Sequence, residues 1–204
     1  MPQKRMLKLP KLKAVNEVKV KQMMKNRILL FAQIILCIVF VFSLGKTFSN
    51  QQWFGSDEDV AFAERLWDEM LKVDLVGPDA FPHEPYFGTH PHGAILESII
   101  QEIIVDNRMA MIVAKRSYRG ESATLESVAK NRSAYLDDYT IMFKREDGYD
   151  EENQNWFWAK YNPDGSIDTT PNGVKLAGRI AKDKSKGCIA CHKKAKGDDY
   201  LFIN

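Results

Sequence analysis

Cys188, Cys191 and His192 stand in the order C-x-x-C-H. Two thiols three positions apart lie on one side of a helical turn and can reach the two vinyl groups of a single porphyrin. The residue that follows then offers an imidazole nitrogen to the iron as its proximal ligand. This is the pattern of covalent c-type haem attachment. A cysteine pair has other uses. A disulfide across so short a loop would be strained and easily reduced. A zinc site would need two further ligands, for which His83, His90 and His92 are available but no second C-x-x-C. A thioredoxin-type redox pair belongs in a βαβ setting, whereas these residues sit in a stretch that reads as loop. Haem c is the reading the motif favours. Cys37, the remaining cysteine, falls in an apolar run and is read as inert.

The elements that must hold this motif are legible in outline. Ser56 precedes Asp57, Glu58 and Asp59, an N-cap followed by acids that suit the positive end of a helix. Val60, Ala63, Trp67, Met70 and Leu71 recur at helical spacing, which predicts a helix over 57–73 with those residues inward. Residues 79–93, rich in Pro, His, Gly and aromatics, read as an irregular loop. Residues 94–105 and 109–115 are strand candidates, paired as a hairpin through Asp106-Asn107. A short helix is expected from Thr124 to Ala129. Residues 139–144 and 156–161 form a second strand pair across the polar stretch 145–155, and a short helical piece is expected around 175–182. The fold class is therefore α+β, rich in β, built on an antiparallel sheet.

The charge distribution is uneven. Residues 1–27 hold nine Lys or Arg against Glu17 alone, while residues 47–204 hold nineteen basic and twenty-six acidic residues. The basic pI of about 8.3 belongs to a tail and gives no argument for nucleic-acid binding. Ile28 to Leu44 is apolar and free of charge. At 1.5 Å per residue it spans roughly 26 Å, enough for a short membrane-crossing helix. Basic residues on its N-terminal side place that end in the cytoplasm. A cleaved signal sequence is the competing reading, disfavoured by the long basic lead and by the lack of a small-x-small cleavage site after Leu44. The expected organisation is a basic cytoplasmic tail (1–27), which contacts anionic lipid or merely sets orientation, then an inner-membrane anchor or signal sequence (28–45), a linker (46–56) and a periplasmic haem domain (57–204). Thioether attachment of haem on the exported side agrees with that topology.

At this point the sequence resembles a known family. Met142-Phe143-Lys144-Arg145, Gly148-Tyr149-Asp150, the strand Trp156 to Tyr161, Pro163-Asp164-Gly165, Leu176-Ala177-Gly178, Gly187 to His192 and Asp199-Tyr200-Leu201-Phe202 resemble the cytochrome P460 domain. So do His92-Gly93-Ala94-Ile95-Leu96-Glu97 and Ile112-Val113-Ala114-Lys115. The resemblance implies a β-rich and often homodimeric fold, with five-coordinate iron open on its distal face. In the enzymes that name the family a lysine is bonded to the porphyrin edge, and hydroxylamine is oxidised to nitrous or nitric oxide. The related β-sheet cytochromes c′ lack the crosslink and bind nitric oxide. By motif position the lysine is Lys115. The residues alone read Lys115 first as a strand end with its stem along the sheet. A crosslink would need a neutral, desolvated amine.

Three functions follow from the resemblance: oxidation of hydroxylamine or a related nitrogen oxide, with electrons passed to a soluble or membrane cytochrome; nitric-oxide binding or sensing without turnover; and electron transfer within a membrane complex. A carrier would fill the sixth site, for which Met109, Met111, Met142, His83, His90 and His92 are available. Trp156 and Trp158, or Phe157 and Tyr161 on the other face, are candidate distal walls, although alternate aromatics in a strand are core first. Oxidation of hydroxylamine needs a base, and Glu97, Glu102 or a loop carboxylate could serve without one being singled out. His92 reads as a residue that shapes the loop before its strand, with a supporting role near the metal as the alternative. A retained anchor and a long basic tail depart from the soluble periplasmic pattern of the family.

Overall fold

Asp106 and Asn107 both take positive φ, 50° and 61°. That is the backbone a two-residue type I′ hairpin requires, and Asp and Asn tolerate it. The turn joins the two longest strands of a computed structural model whose described residues are 53–182, 187–197 and 199–202, with residues 19, 21–27, 30 and 33. The chain divides into two units, Met1–Gln51 and Gln52–Asn204. In the first, the described residues are helical and exposed. The expected anchor, 28–45, lies outside the described residues except at 30 and 33. No described helix is long and apolar enough to cross a membrane.

In chain order the second unit contains α1 (Asp57–Lys72), β1 (Tyr86–Phe87), β2 (Ile95–Val105), β3 (Arg108–Tyr118), α2 (Leu125–Lys130), β4 (Leu136–Lys144), β5 (Trp156–Tyr161), β6 (Ala177–Gly178) and α3 (Cys188–His192). The six strands form one antiparallel sheet in sequential order. The β-rich α+β architecture expected from the sequence is present. Two expectations need correction. The stretch 175–182 is not a helical piece: β6 pairs with Trp158 and Ala159, and a 3-10 turn occupies Ile180–Lys182. Gly178 breaks the helix, with φ at 118°, and a Cβ there would lie 2.5 Å from the Asp59 carboxylate. The inward stripe of α1 also differs. Phe62, Ala63, Leu66 and Met70 are buried, Val60 and Trp67 are half-buried, and Leu71 is exposed. Positions 62, 66 and 70 repeat every four residues, and Leu71 falls one step off that row.

Residues opposite one another in an antiparallel pair share a face. On one face a row of small and branched residues, Ile99, Ala114, Ile141, Ala159 and Ala177, crosses five strands in register. This face carries the main core and receives α1. Phe62 packs its ring on Phe143 and Phe157, Trp67 meets Tyr139 and Tyr161, and Tyr161 donates to the carbonyl of Ala63 at 2.8 Å. Ser56 caps α1 by accepting from the Asp59 amide at 3.1 Å, which satisfies one of the orphan donors of the first turn.

At one end of this face a buried carboxylate organises the approach to the opposite side. Glu97 accepts from Arg116 at 2.8 Å, from Tyr118 at 2.7 Å and from Arg132 at 2.6 Å. Arg116 also donates to the carbonyls of Phe81 and Leu75, and Arg132 to that of His83. The polar residues therefore pin the loop that leads into β1.

Candidate haem site

The second face carries the rows Ile100, Val113, Met142, Trp158 and Ser98, Lys115, Thr140, Lys160. Above it lies a cavity of about 800 Å³, within the size range of cofactor pockets. The sheet supplies Leu96, Val113, Lys115, Thr140, Met142 and Trp158 as its floor. Gly187, Cys188, Cys191, His192 and Phe202 form one wall, and the loop from Tyr86 to His92 forms the other.

The motif helix α3 is short, and Ile189 anchors it. This side chain is buried against the cluster of Val113, Met142, Trp156 and Trp158. Cys188 and Cys191 are free thiols on the cavity wall, and burial pushes the Cys188 thiol up. His192 is buried and sandwiched at ring contact by Trp158 and Phe202, at 5.1 and 5.5 Å between centres. Its Nδ1 lies 2.8 Å from the carbonyl of Tyr200. A carbonyl can only accept, so Nδ1 carries the proton and Nε2 keeps its lone pair. Metal-bound histidines are characteristically held this way, with the second nitrogen donating to a fixed acceptor. Burial, the largest influence, lowers the His192 pKa despite the hydrogen bond to Tyr200, and so favours the neutral ring a metal needs.

The segment that supplies the Tyr200 carbonyl is itself tied down. Trp156 donates from Nε1 to the carbonyl of Asp199 at 3.1 Å, and Lys144 pairs with the Asp199 carboxylate at 2.7 Å. Tyr200 sits in the left-handed region, with φ at 59°. Sequence reasoning identified the residues of this segment but not the service of its backbone. A carbonyl is present in every residue, so no side-chain pattern marks the one that acts.

The cavity fits a c-type haem. Its floor is mostly apolar, with Leu96, Val113, Met142 and Trp158 beside Lys115 and Thr140, both thiols line it, and the adjacent imidazole is presented in the right tautomer. Trp158 also keeps its buried Nε1 without a hydrogen-bond partner among the described residues, a donor left for whatever fills the space. The alternatives fare worse. The thiols are not joined, and among the described residues no group of three or more His, Cys, Asp or Glu could hold a metal ion. The sheet is antiparallel throughout, unlike the βαβ setting of a thioredoxin-type pair.

The family model of cytochrome P460 matches residues 88–203, more than half of the chain. The chain belongs to the cytochrome P460 family. The family binds c-type haem, with a lysine crosslink in some members. No curated protein and no solved structure matches the chain.

Within this P460 domain the remaining candidates separate cleanly. Lys115 lines the same cavity as the attachment motif. Its amine has no ion-pair partner among the described residues, and burial lowers its pKa. Glu97 is on the opposite face, enclosed by two arginines and a tyrosine, so it is not available as a base at the iron. Glu102 is exposed and away from the cavity. Among the described residues no carboxylate lines the cavity at all. Of the wall candidates, Trp158 lines it and Trp156 packs beneath Ile189, while Phe157 and Tyr161 belong to the core of the other face. Of the six side chains considered for the sixth coordination site, His90, His92 and Met142 line the cavity. His83, Met109 and Met111 do not. Burial, joined by the positive charge of Lys115 and other neighbours, pushes His92 down to about 4, so its ring is neutral.

Proposed function

We propose that this protein is a membrane-anchored periplasmic cytochrome of P460 type that performs redox chemistry on hydroxylamine or nitric oxide at a covalently held haem. The observation that carries this reading is the meeting of Lys115, from the middle of the sheet, with Cys188, Cys191 and His192 in one cavity. When bound, the haem supplies an iron that takes the nitrogen of a small ligand and relays electrons to a separate cytochrome, soluble or in the membrane.

The protein's own groups have defined tasks. Cys188 and Cys191 would hold the porphyrin through thioethers to its two vinyl groups. His192 offers Nε2, kept in orientation by the Tyr200 carbonyl. Lys115, half-buried and without an ion-pair partner among the described residues, lines the cavity and would be the lysine that bonds to the porphyrin rim. Leu96, Val113, Met142 and Trp158 exclude water from the sheet side. The apolar run 28–44 and the basic tail would hold the domain at the inner membrane, each basic residue near anionic lipid contributing about 1 kcal/mol. Homodimers are common in the family, and a second copy is a partner to test for.

Denaturing mass spectrometry of the haem peptides tests the reading directly. We expect the fragment carrying Lys115 on porphyrin together with both thioethers, and Lys115→Ala to lose the first while keeping the second. Hydroxylamine that neither perturbs the ferric spectrum nor reduces an acceptor cytochrome would exclude oxidation. The alternative is nitric-oxide binding without turnover. That reading is favoured by the absence of any cavity-lining carboxylate among the described residues, since such binding needs no base.

A further inference from the structure

Among the described residues, two buried polar atoms without a hydrogen-bond partner stand opposite each other on neighbouring strands: the Ser117 hydroxyl on β3 and Oδ1 of Asp138 on β4. Ser117 is fully buried and Asp138 is 5% exposed. Strand alternation puts both on the face of Lys115 and Thr140, which line the cavity, two residues further along each strand. That step is about 7 Å. We propose that Asp138 is the group through which the haem pocket exchanges protons with solvent, acting over a single water held between it and Ser117. This rests on the reading of the cavity as a haem pocket and is independent of which nitrogen compound the pocket takes.

Buried hydroxyl and carboxylate oxygens are paired with protein or with ordered water. Opposed side chains of an antiparallel pair have Cβ atoms about 4.5–5.5 Å apart, room for one water and nothing larger. Such a water accepts from Ser117 Oγ, donates to Asp138 Oδ1 and keeps its second proton for the cavity side. Two successive hydrogen bonds through it span about 5.5 Å, close to the step between Asp138 and the cavity row.

The other carboxylate oxygen leads outward. Oδ2 pairs with Lys160 Nζ at 3.2 Å, and Lys160 pairs with Asp168 at 2.9 Å. Side-chain exposure rises along this line from 7% at Asp138 to 35% at Lys160 and 27% at Asp168. The remaining charged or titratable groups on this side are Lys115 from β3, His92 beside Thr140, and Arg119, which is paired with Asp137. Electron transfer at a buried iron moves protons as well, and among the described residues no carboxylate lines the cavity. Asp138 takes a proton from the water, the water is replenished from the cavity side, and the carboxyl returns the proton to solvent at the Lys160–Asp168 pair.

Infrared difference spectra of the haem-loaded protein, reduced minus oxidised, test this. Reduction should raise a carboxyl C=O band that shifts in D2O, is lost in Asp138→Asn and is displaced in Asp138→Glu. The haem midpoint potential should fall as the pH rises, with most of that dependence lost in Asp138→Asn and kept in Asp138→Glu. Ser117→Ala leaves the carboxylate and its pair with Lys160 in place, and should slow the appearance of the band after rapid reduction about tenfold. A band and a pH dependence that persist unchanged in Asp138→Asn overturn the proposal, as does an intact protein that shows neither. Where Asp138→Asn attaches no haem, an unchanged rate in Ser117→Ala overturns it instead. In each of these cases the intact protein still carries haem and the pocket reading stands. Intact protein that attaches no haem would overturn both.

Discussion

Lys115 and Arg116 are neighbours on β3 that point to opposite faces of one sheet, and they meet opposite treatment. Arg116 is buried on the core face with Glu97 and two backbone carbonyls as partners. Lys115 faces the cavity with no ion-pair partner among the described residues and a pKa lowered by burial. A cation buried for stability is neutralised and hydrogen-bonded, because an unpaired buried charge costs several kcal/mol. A lysine left desolvated and without a counter-charge is held closer to its neutral form. The two faces divide the work, one face closing a core and the other lining the cavity with Lys115 beside the C-x-x-C-H residues.

That division can be broken in three ways. Replacing Cys188 and Cys191 together with alanine should abolish covalent haem completely, as read by haem staining on a denaturing gel. If the faces are independent, the far-ultraviolet circular dichroism of the sheet survives. Collapse of the sheet would show that the core face alone does not sustain the fold.

On the core face, Glu97→Ala leaves Arg116 buried without its counter-charge and should cost about 3–5 kcal/mol in urea denaturation. The pH dependence sharpens the point. Burial would raise the Glu97 carboxyl, but hydrogen bonds from Arg132, Tyr118 and Arg116 outweigh it and hold the group below the usual carboxylate range. Its contribution is therefore complete above the unfolded carboxylate pKa and is lost as the pH falls through the lower folded value. Glu97→Gln should flatten that acid limb, whereas an unchanged limb would assign it to other carboxylates. The smallest effect belongs to Ser56→Ala. Losing the cap of α1 should cost about 1 kcal/mol and leave the haem spectrum untouched.

The hairpin at Asp106-Asn107, the cap at Ser56 and the helix following Thr124 were legible in the sequence because each rests on local backbone chemistry. The stretch 175–182 reads as helical in the sequence because β6 is made by distant partners, β5 on one side and Phe54-Gly55 on the other. The burial of Glu97 was also invisible, since its partners Arg116 and Arg132 lie 19 and 35 residues away. Strand alternation shows that Glu97 and Leu96 face opposite sides, but not which side holds the cavity.

The sequence by itself determined the C-x-x-C-H pattern, because thiol spacing and an adjacent imidazole are properties of a single helical turn. It also determined the antiparallel, β-rich class and the apolar run 28–44. Only the tertiary structure decided which groups face that turn. Lys115 and His92 reach the cavity through strand register and loop closure, Glu97 is withdrawn from it, and the Tyr200 carbonyl sets the tautomer of His192. These are contacts between residues far apart in the chain, set by packing that no local pattern encodes.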